Sequence, residues 1–379
     1  MSTLGLYIHI PFCKSKCRYC DFCSFPHPKA DTVDSYIAAL VCEIREESKK
    51  VDRHYGEKPT VDTVYFGGGT PTLLSLTQWE QILHAVFHSF RISRDAEITA
   101  ECNPATANRA DFQALRGMGI NRLSIGAQSM NDAELKLLGR LHRAEDVRKT
   151  VLDARAAGFD NISLDIMFGI PDGTCESLAA TLDAACSLSP EHISVYGLQI
   201  EDGTYFARHQ NELALPDEEI ERAMYVSTVE LLASRGLCRY EISNFSRSGH
   251  HSRHNLKYWY RKDYLGLGLA AHSCLGDHRF SNTESLADYL ADKRRDSDQY
   301  VSAHDILCET VMLGMRLDEG VDFSALEKKH GKEALDIRDA LADYQSGGFI
   351  KKQGERLSFT TDGMYVSNTI LGQVLDFDE

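Results

Sequence analysis

The feature that most constrains the fold of this chain is a regular alternation of short apolar runs with longer amphipathic stretches. The apolar runs, rich in β-branched residues, predict strands at 6–10, 63–68, 97–101, 122–128, 162–169 and 192–199. Between them, apolar residues at helical spacing predict helices near 32–53, 77–90, 107–117, 132–138 with 144–157, 175–187 and 217–235. Strict β–α alternation predicts a parallel sheet. Because no early topological switch interrupts it, we favour an α/β fold with an incomplete (β/α)6 barrel over a doubly wound sheet.

Residues suited to chemistry stand at the ends of five of these predicted strands. Cys13 follows the first strand, residues 67–71 end the second, and residues 101–104 end the third. Gln128 closes the fourth strand, and residues 165–171 span the end of the fifth. Parallel barrels build their sites from the loops that follow the strands. The sequence therefore predicts one site at this edge of the sheet.

The β–α pattern ends after about residue 236. We predict a partial barrel over 1–236, a connecting segment over 237–300 and a small α+β domain over 301–379. In the last unit, short helical patterns precede a β-ribbon and a final helix, an order that resembles a winged helix.

Charge and cysteine usage restrict the partners and the compartment. The formal net charge is −15, which disfavours nucleic acid and anionic lipid as partners. The apolar stretches are too short for a transmembrane helix, and the start of the chain lacks the basic region of a signal peptide. Scattered cysteines then predict reduced thiols in the cytoplasm. One locally basic segment, RHNLKYWYRK, would suit a small anionic ligand through Arg253, Lys257, Arg261 and Lys262.

The run CKSKCRYCDFC holds four of the 11 cysteines. Cys13, Cys17 and Cys20 form C-x3-C-x2-C, whereas Cys17, Cys20 and Cys23 form the opening of a ferredoxin-like run. The ferredoxin frame meets a His-Pro pair at 27–28 where a Cys-Pro is expected. A zinc site is the other alternative, although zinc sites usually pair two C-x2-C knuckles across a longer spacer. Three thiolates can also hold a [4Fe–4S] cluster and leave its fourth iron open.

The segment LYIHIPFCKSKCRYCDF, with YFGGGTPT at 65–72, resembles the radical S-adenosylmethionine (SAM) enzymes, and among them the HemN-like group. The resemblance covers nearly the whole chain and selects the frame of Cys13, Cys17 and Cys20. It implies a [4Fe–4S] cluster on those cysteines, with SAM chelated at the open iron and cleaved by one electron to a 5′-deoxyadenosyl radical. In this frame Cys23 is a free thiol near the cluster.

The same resemblance implies the residues that contact SAM. They are Tyr7, Tyr19, Gly68, Gly69, Thr70, Glu101, Gln128, Arg140 and Asp165. Their types suit the cofactor, because carboxylates can accept from its ammonium or ribose hydroxyls and an arginine can bind its carboxylate. Members of the group can hold a second SAM molecule, and the sequence leaves the number open.

Two departures distinguish this chain from the oxygen-independent coproporphyrinogen oxidases of the group. Those oxidases carry a fourth cysteine two residues after the third, where this chain has Phe22, and its extra cysteine comes one position later, at Cys23. The oxidases also carry an extension before the first strand, whereas six residues precede Tyr7 here. Both departures favour the HemW-type heme chaperones of the group. The alternative is radical catalysis on a porphyrin or porphyrinogen, either by oxidation or by C-methylation.

The segment HNLKYW, residues 254–259, resembles the HNxxYW signature of those chaperones. It implies heme binding by His254, with Tyr258 and Trp259 offering flat apolar surface. The nearby His250 and His251 leave the identity of the iron ligand open. The expected function is a heme chaperone that serves an acceptor apoprotein, such as a respiratory heme protein. An electron donor is expected as well, and the reading is compatible with a homodimer.

Overall fold

The computed structural model describes residues 3–377, so residues 1–2 and 378–379 of the outer predicted domains lie outside it. The strands of the described chain are β1 (Thr3–Ile10), β2 (Phe12–Cys13), β3 (Phe25–Pro26), β4 (Thr60–Gly68), β5 (Arg91–Cys102), β6 (Arg122–Gln128), β7 (Ile162–Phe168), β8 (His192–Gly197), β9 (Cys238–Arg239), β10 (Asn244–Ser246), β11 (Tyr264–Leu267), β12 (His272–Leu275), β13 (His278–Asn282), β14 (Arg295–Tyr300), β15 (Val321–Asp322), β16 (Ile350–Gln353) and β17 (Arg356–Phe359). The helices are α1 (Ala30–Tyr55), α2 (Leu76–Ser89), α3 (Arg109–Gly117), α4 (Asp132–Leu137), α5 (Ala144–Ala156), α6 (Cys175–Cys186), α7 (Tyr205–Arg208), α8 (Glu218–Ser234), α9 (Arg253–Trp259), α10 (Leu286–Leu290), α11 (Ala303–Gly314), α12 (Phe323–His330), α13 (Lys332–Ala342), α14 (Thr361–Tyr365) and α15 (Ser367–Val374).

The six predicted strands form the centre of one large sheet, in the order in which the chain visits them. That order is β1-β4-β5-β6-β7-β8, and every neighbouring pair is parallel. Consecutive strands are therefore neighbours, and the chain does not reverse direction across the sheet as it does in a doubly wound fold. The α/β prediction is confirmed.

Burial explains why these runs are strands. In β6 every residue except Gln128 is buried, and in β7 every residue except Asp165 is buried. Strands buried on both faces are almost continuously apolar. Helices pack against one face of these strands, and side chains from other strands of the sheet pack against the other face. The polar residues that interrupt these runs are therefore informative, since they mark where the sheet lines a cavity.

The observed ends of some elements differ from those predicted. Strand β5 begins at Arg91, six residues before the predicted 97, because its exposed polar start does not have the apolar pattern of the other strands. Helix α1 ends at Tyr55 and is followed by the capping residue Gly56, which adopts a φ of 70°. A capping box between Ser75 and Gln78 fixes the start of α2 directly after the glycine turn.

The segment predicted as a connection contributes strands to both edges of the same sheet. Strand β11 is parallel to β1 on one side and is followed by β12, β13 and β14. Strands β10 and β9 extend the sheet beyond β8 on the other side. The sheet thus has twelve strands among the described residues. The proposed domain boundaries at 236 and 300 stay a prediction.

The C-terminal part contains the three-stranded antiparallel sheet β15-β17-β16 together with helices α11 to α15. Ion pairs join it to the large sheet, since Arg239 contacts Asp318 at 3.0 Å and Arg261 contacts Glu309 at 2.6 Å. The likeness to a winged helix stays a prediction. Across the described part of the chain, each helix is too short or too polar to cross a lipid bilayer.

Candidate functional site

A cavity of about 320 Å³ lies where the parallel strands end and the cysteine loop folds over them. Ten of the twelve residues predicted for the cluster and for SAM line it. They are Cys13, Cys17, Tyr19, Cys20, Gly68, Gly69, Glu101, Gln128, Arg140 and Asp165. Residues far apart in the sequence therefore converge on one site, as parallel strands with their loops at one edge predict.

The cysteine loop is held in place at both ends. Its two ends form the short parallel pair β2–β3, in which Cys13 is opposite Pro26. The amide of His27 donates to the carbonyl oxygen of Cys13 at 3.1 Å, and the amide of Arg18 donates to the carbonyl oxygen of Leu138 at 3.1 Å. These backbone bonds fix the loop against the end of the sheet.

Two of the three predicted cluster cysteines accept hydrogen bonds from the surrounding site. The Thr70 hydroxyl donates to the Cys13 sulfur at 3.6 Å, and Nη1 of Arg140 donates to the Cys17 sulfur at 3.4 Å. Burial raises the pKa of the Cys13 and Cys20 thiols. All 11 cysteines are free thiols. This donor set suits a soft metal centre that replaces the protons of the thiols.

The glycine turn after β4 packs backbone against backbone. The amide of Gly69 donates to the carbonyl oxygen of Ile10 at 2.9 Å, and the amide of Thr70 donates to that of Phe12 at 2.8 Å. A Cβ atom on Gly69 would lie 2.7 Å from each of those oxygens. Gly68 has a φ of 104°, a region that side chains rarely adopt. The turn therefore requires glycine and presents its backbone to the cavity.

Two half-buried carboxyl groups lie among the cavity-lining residues. Glu101 accepts hydrogen bonds from the Tyr65 hydroxyl at 2.9 Å and from the Gly68 amide at 3.0 Å. Burial raises the pKa of Glu101 to about 7. Asp165 accepts from the hydroxyls of Ser124 at 3.0 Å and Ser194 at 2.8 Å, and burial raises its pKa as well.

The raised pKa of Glu101 makes a testable prediction for SAM binding. Glu101 loses its proton as pH rises through about 7, and the ionised carboxylate is a stronger acceptor than the neutral acid for the amino group or the ribose hydroxyls of SAM. We expect SAM affinity, measured anaerobically by calorimetry, to rise about tenfold from about pH 6 to about pH 8. Glu101→Gln should bind more weakly at the higher pH and show no such rise. A similar rise in the variant would assign the pH dependence to another group.

Arg140 joins the cysteine loop to the strand ends. Its Nη2 donates to the Gly126 carbonyl oxygen at 2.7 Å and to the Asn103 side-chain oxygen at 2.5 Å, while Nη1 reaches Cys17. Two predicted residues do not line this cavity. Thr70 is buried behind the turn, and Tyr7 lines the neighbouring cavity, where its hydroxyl hydrogen-bonds with Nδ1 of His9 at 3.0 Å.

Several cavity-lining residues were missed by the sequence reading. They are Asn103, Arg122, Ser124, Ser194, Tyr196 and Asn255. Arg122 is buried, and its Nε has no hydrogen-bond partner among the described residues. Ser124 and Ser194 interrupt apolar strands at inward positions, a signal that could have identified them. Asn255 belongs to the HNLKYW segment, for which the sequence predicts heme binding.

The three predicted heme residues line a second cavity, of about 530 Å³, next to the first. His254, Tyr258 and Trp259 reach it from helix α9. The two cavities share the residues Tyr65, Glu101, Tyr196 and Asn255. The HNLKYW segment is thus part of the same interior as the cysteine site.

Both ring nitrogens of His254 are already engaged. Nδ1 hydrogen-bonds with the Thr63 hydroxyl at 2.9 Å, and Nε2 hydrogen-bonds with the Tyr258 hydroxyl at 2.8 Å. Burial lowers the pKa of His254 to about 3, so the imidazole is neutral. Iron ligation by His254 stays a prediction, and it requires one of these two bonds to break. His251 instead stacks on Tyr240, with ring centroids 4.3 Å apart.

Most of the basic residues around HNLKYW have protein partners. Lys257 forms an ion pair with Asp62 at 2.7 Å, and Nη1 of Arg253 donates to the Asp95 carbonyl oxygen at 2.6 Å. Arg261 pairs with Glu309, as described above. Lys262, which is exposed, has no ion pair among the described residues. The segment is therefore less available to an anionic ligand than its sequence indicates.

Comparisons with known proteins agree with this geometry. The radical SAM superfamily profile matches residues 7–185, and the HemN C-terminal domain profile matches residues 301–366. The chain is 34% identical to the heme chaperone HemW of Bacillus subtilis (strain 168), covering 97% of this chain and 98% of that protein. The chain belongs to the HemW family of radical SAM proteins. The HemW of Escherichia coli (strain K12) is 32% identical, with 98% of each chain covered.

A solved structure shows the same fold at lower identity. Coproporphyrinogen III oxidase (HemN) from Escherichia coli, a radical SAM enzyme by its description, superposes with a TM-score of 0.85 at 24% identity. The match covers 98% of this chain and 89% of that chain. Membership of the radical SAM superfamily implies a [4Fe–4S] cluster and SAM. The three thiols around one cavity and the glycine turn, which has no room for a Cβ atom at Gly69, fit those groups.

Proposed function

We propose that this chain is a heme chaperone that binds heme and transfers it to an acceptor protein. The relatives named heme chaperone HemW match it over nearly its full length. The single observation that carries the proposal is the shared wall between two cavities. One is lined by His254, Tyr258 and Trp259, and the other by the cysteine loop. Because the cavities share lining residues, a ligand in one would contact residues that also border the other.

Cys13, Cys17 and Cys20 would hold the [4Fe–4S] cluster in this proposal. When bound, the cluster and an exchangeable SAM supply one-electron cleavage of a carbon–sulfur bond. The chain contributes binding and shielding: the Gly68–Gly69 backbone and Glu101 face the cavity, with Tyr19, Gln128 and Asp165 among its other lining residues. Arg140 keeps Cys17 in place through its bond to the sulfur.

Helix α9 would provide the heme contacts. Tyr258 and Trp259 offer aromatic surface to the macrocycle. His254 holds the Tyr258 hydroxyl and stacks on Tyr65, with ring centroids 5.3 Å apart. In this arrangement His254 orients the aromatic residues, and it becomes a ligand only when its bond to Thr63 or to Tyr258 breaks.

The second candidate function is radical catalysis on a porphyrin or porphyrinogen, as an oxidase or a C-methyltransferase. The specific observation in its favour is the cavity lined by Glu101 and Asp165, which are half-buried and both have raised pKa values. Shifted pKa values of this kind cluster at functional sites.

The chaperone proposal also includes a cytoplasmic location, an electron donor and a respiratory heme protein as acceptor, and it is compatible with a homodimer.

One anaerobic experiment separates the two functions. Heme is titrated into the cluster-reconstituted protein, and the Soret band and 5′-deoxyadenosine release are recorded; a second sample receives coproporphyrinogen. A stoichiometric heme complex without turnover of coproporphyrinogen supports the chaperone. No heme complex, together with 5′-deoxyadenosine release on coproporphyrinogen, supports the enzyme.

Tyr258→Ala tests the heme contacts of α9 in the same titration. We expect about a tenfold loss of heme affinity, because an aromatic surface of the cavity is removed. The matched control is Tyr260→Ala, since Tyr260 is a tyrosine at the end of the same helix and is 41% exposed outside this cavity. Equal affinities for the two variants would place heme away from α9.

A further inference from the structure

A third cleft, of about 360 Å³, lies on the other side of Tyr7 and Tyr258 from the heme-motif cavity. Both tyrosines line the two spaces. The cleft also contains Cys23, the cysteine that the cluster frame leaves over, and His272, the first residue of β12. The HNLKYW helix therefore faces a second space that is large enough for a small ligand or one edge of a larger one.

The walls of this cleft are aromatic. Tyr258 and Tyr264 meet edge to face, with ring centroids 4.6 Å apart and an interplanar angle of 86°. Phe22 also lines the cleft and is 63% exposed. An exposed phenyl group beside two packed tyrosines offers an apolar surface to a flat ligand.

The cleft contains three imidazole or thiol side chains that can ligate iron, and two of them are restricted. His9 is buried, and its ring nitrogens hydrogen-bond with the Tyr7 hydroxyl at 3.0 Å and the Cys23 carbonyl oxygen at 2.8 Å. The Cys23 thiol donates to the Glu284 carbonyl oxygen at 3.8 Å. Burial raises the pKa of this thiol, and a neutral thiol is a weaker ligand than an imidazole.

His272 is the exception. Its side chain is exposed, and the described residues give it no hydrogen bond, ion pair or ring contact. Its backbone, by contrast, is fixed, because His272 pairs with Ser281 across β12 and β13. A Cβ atom on Gly266 would overlap the carbonyl oxygen of His272, so the two strands pack closely here. A free imidazole on a fixed backbone is a suitable axial ligand for heme iron.

We propose that heme iron is bound in this cleft, with the imidazole of His272 as its protein ligand. This rests on the proposed heme-chaperone function and adds the iron ligand and its location. The macrocycle would contact Tyr258, Tyr264 and Phe22. The carboxylates of Asp21 and Glu284, which also line the cleft, repel the heme propionates, so the propionates point to solvent. An edge exposed in this way is accessible to an acceptor protein.

The test is an anaerobic heme titration of the cluster-reconstituted protein and three variants, followed by absorption and electron paramagnetic resonance. His272→Gly should lose about tenfold or more in heme affinity and shift the Soret band. Added imidazole should restore the wild-type spectrum in this variant, which a merely structural defect would not allow. His254→Ala probes the alternative ligand in the HNLKYW segment; because His254 only orients Tyr258, its Soret band should shift less than that of His272→Gly. The control is His54→Ala, because His54 is exposed on α1 and lines none of the three cavities.

The outcomes separate this inference from the function on which it rests. If the wild-type protein binds no heme, the chaperone function fails. If it binds heme and His272→Gly gives the same affinity and spectrum, the function stands and the assignment of His272 is wrong. A spectrum that changes in His254→Ala but not in His272→Gly would return the ligand to the HNLKYW segment.

Discussion

Replacing Cys13, Cys17 or Cys20 by alanine should reduce the iron content of the reconstituted protein from about four atoms per chain to near zero. A [4Fe–4S] cluster that already leaves one iron open has only three protein ligands, so the loss of one leaves two irons without thiolates. All three sulfurs line the cavity described above. SAM binding and cleavage should be lost with the cluster. Iron and sulfide analysis and the cluster absorption band measure the effect.

Cys23→Ala is the matched control for this series. Its thiol lies in the third cleft and donates to the Glu284 carbonyl oxygen, and it does not line the cluster cavity. The variant should retain the full iron content of the wild-type protein. If Cys23→Ala loses as much iron as Cys20→Ala, the ferredoxin-like frame becomes the better description of the loop.

Gly69→Ala should lower the free energy of unfolding by about 3 kcal/mol or more. The new methyl group would lie 2.7 Å from three backbone atoms, namely the Ile10 oxygen and the nitrogen and oxygen of Phe12. Backbone atoms cannot rotate away as a side chain can, so the turn must separate from the cysteine loop. SAM affinity should fall with it, because this turn presents its backbone to the cavity. Chemical denaturation and anaerobic calorimetry measure the two effects.

The control is Gly117→Ala. Gly117 is the last residue of α3, and an added Cβ atom would meet nothing within 4 Å. Alanine favours a helix over glycine by about 1 kcal/mol, so this variant should be as stable as the wild type or more so. A Gly69→Ala protein with unchanged stability and SAM affinity would show that the turn can move, and would contradict the close packing described for it.

The strand order and the cysteine site were predictable because both depend on local patterns. Apolar runs such as β7 are continuous, and the polar residue inside it, Asp165, lies where the strand borders the cavity. The glycines at 67–69 come at the carboxyl end of a strand that its own apolar pattern predicts. The spacing of apolar residues and the residue types are sufficient to predict such features, because parallel strands bring their carboxyl ends to one edge of the sheet.

Long-range pairing explains what could not be predicted. The basic residues Lys257 and Arg261 looked available for an anion, but their partners Asp62 and Glu309 are distant in the sequence. The alignment of β11 beside β1 likewise joins residues about 260 positions apart. The hydrogen bond of His254 could not be predicted either, because its partner Thr63 lies in β4, far from the HNLKYW motif in the sequence.

Tyr65 has a consequence for how the two ligands would influence each other. Its ring stacks on His254, and its hydroxyl donates to Glu101, which in turn accepts from the Gly68 amide. A ligand that moves Tyr65 in one cavity therefore changes the shape of the other cavity. Such a coupling free energy is reciprocal, so the factor by which SAM alters heme affinity equals the factor by which heme alters SAM affinity. Heme release and SAM exchange would then depend on each other through this one coupling free energy.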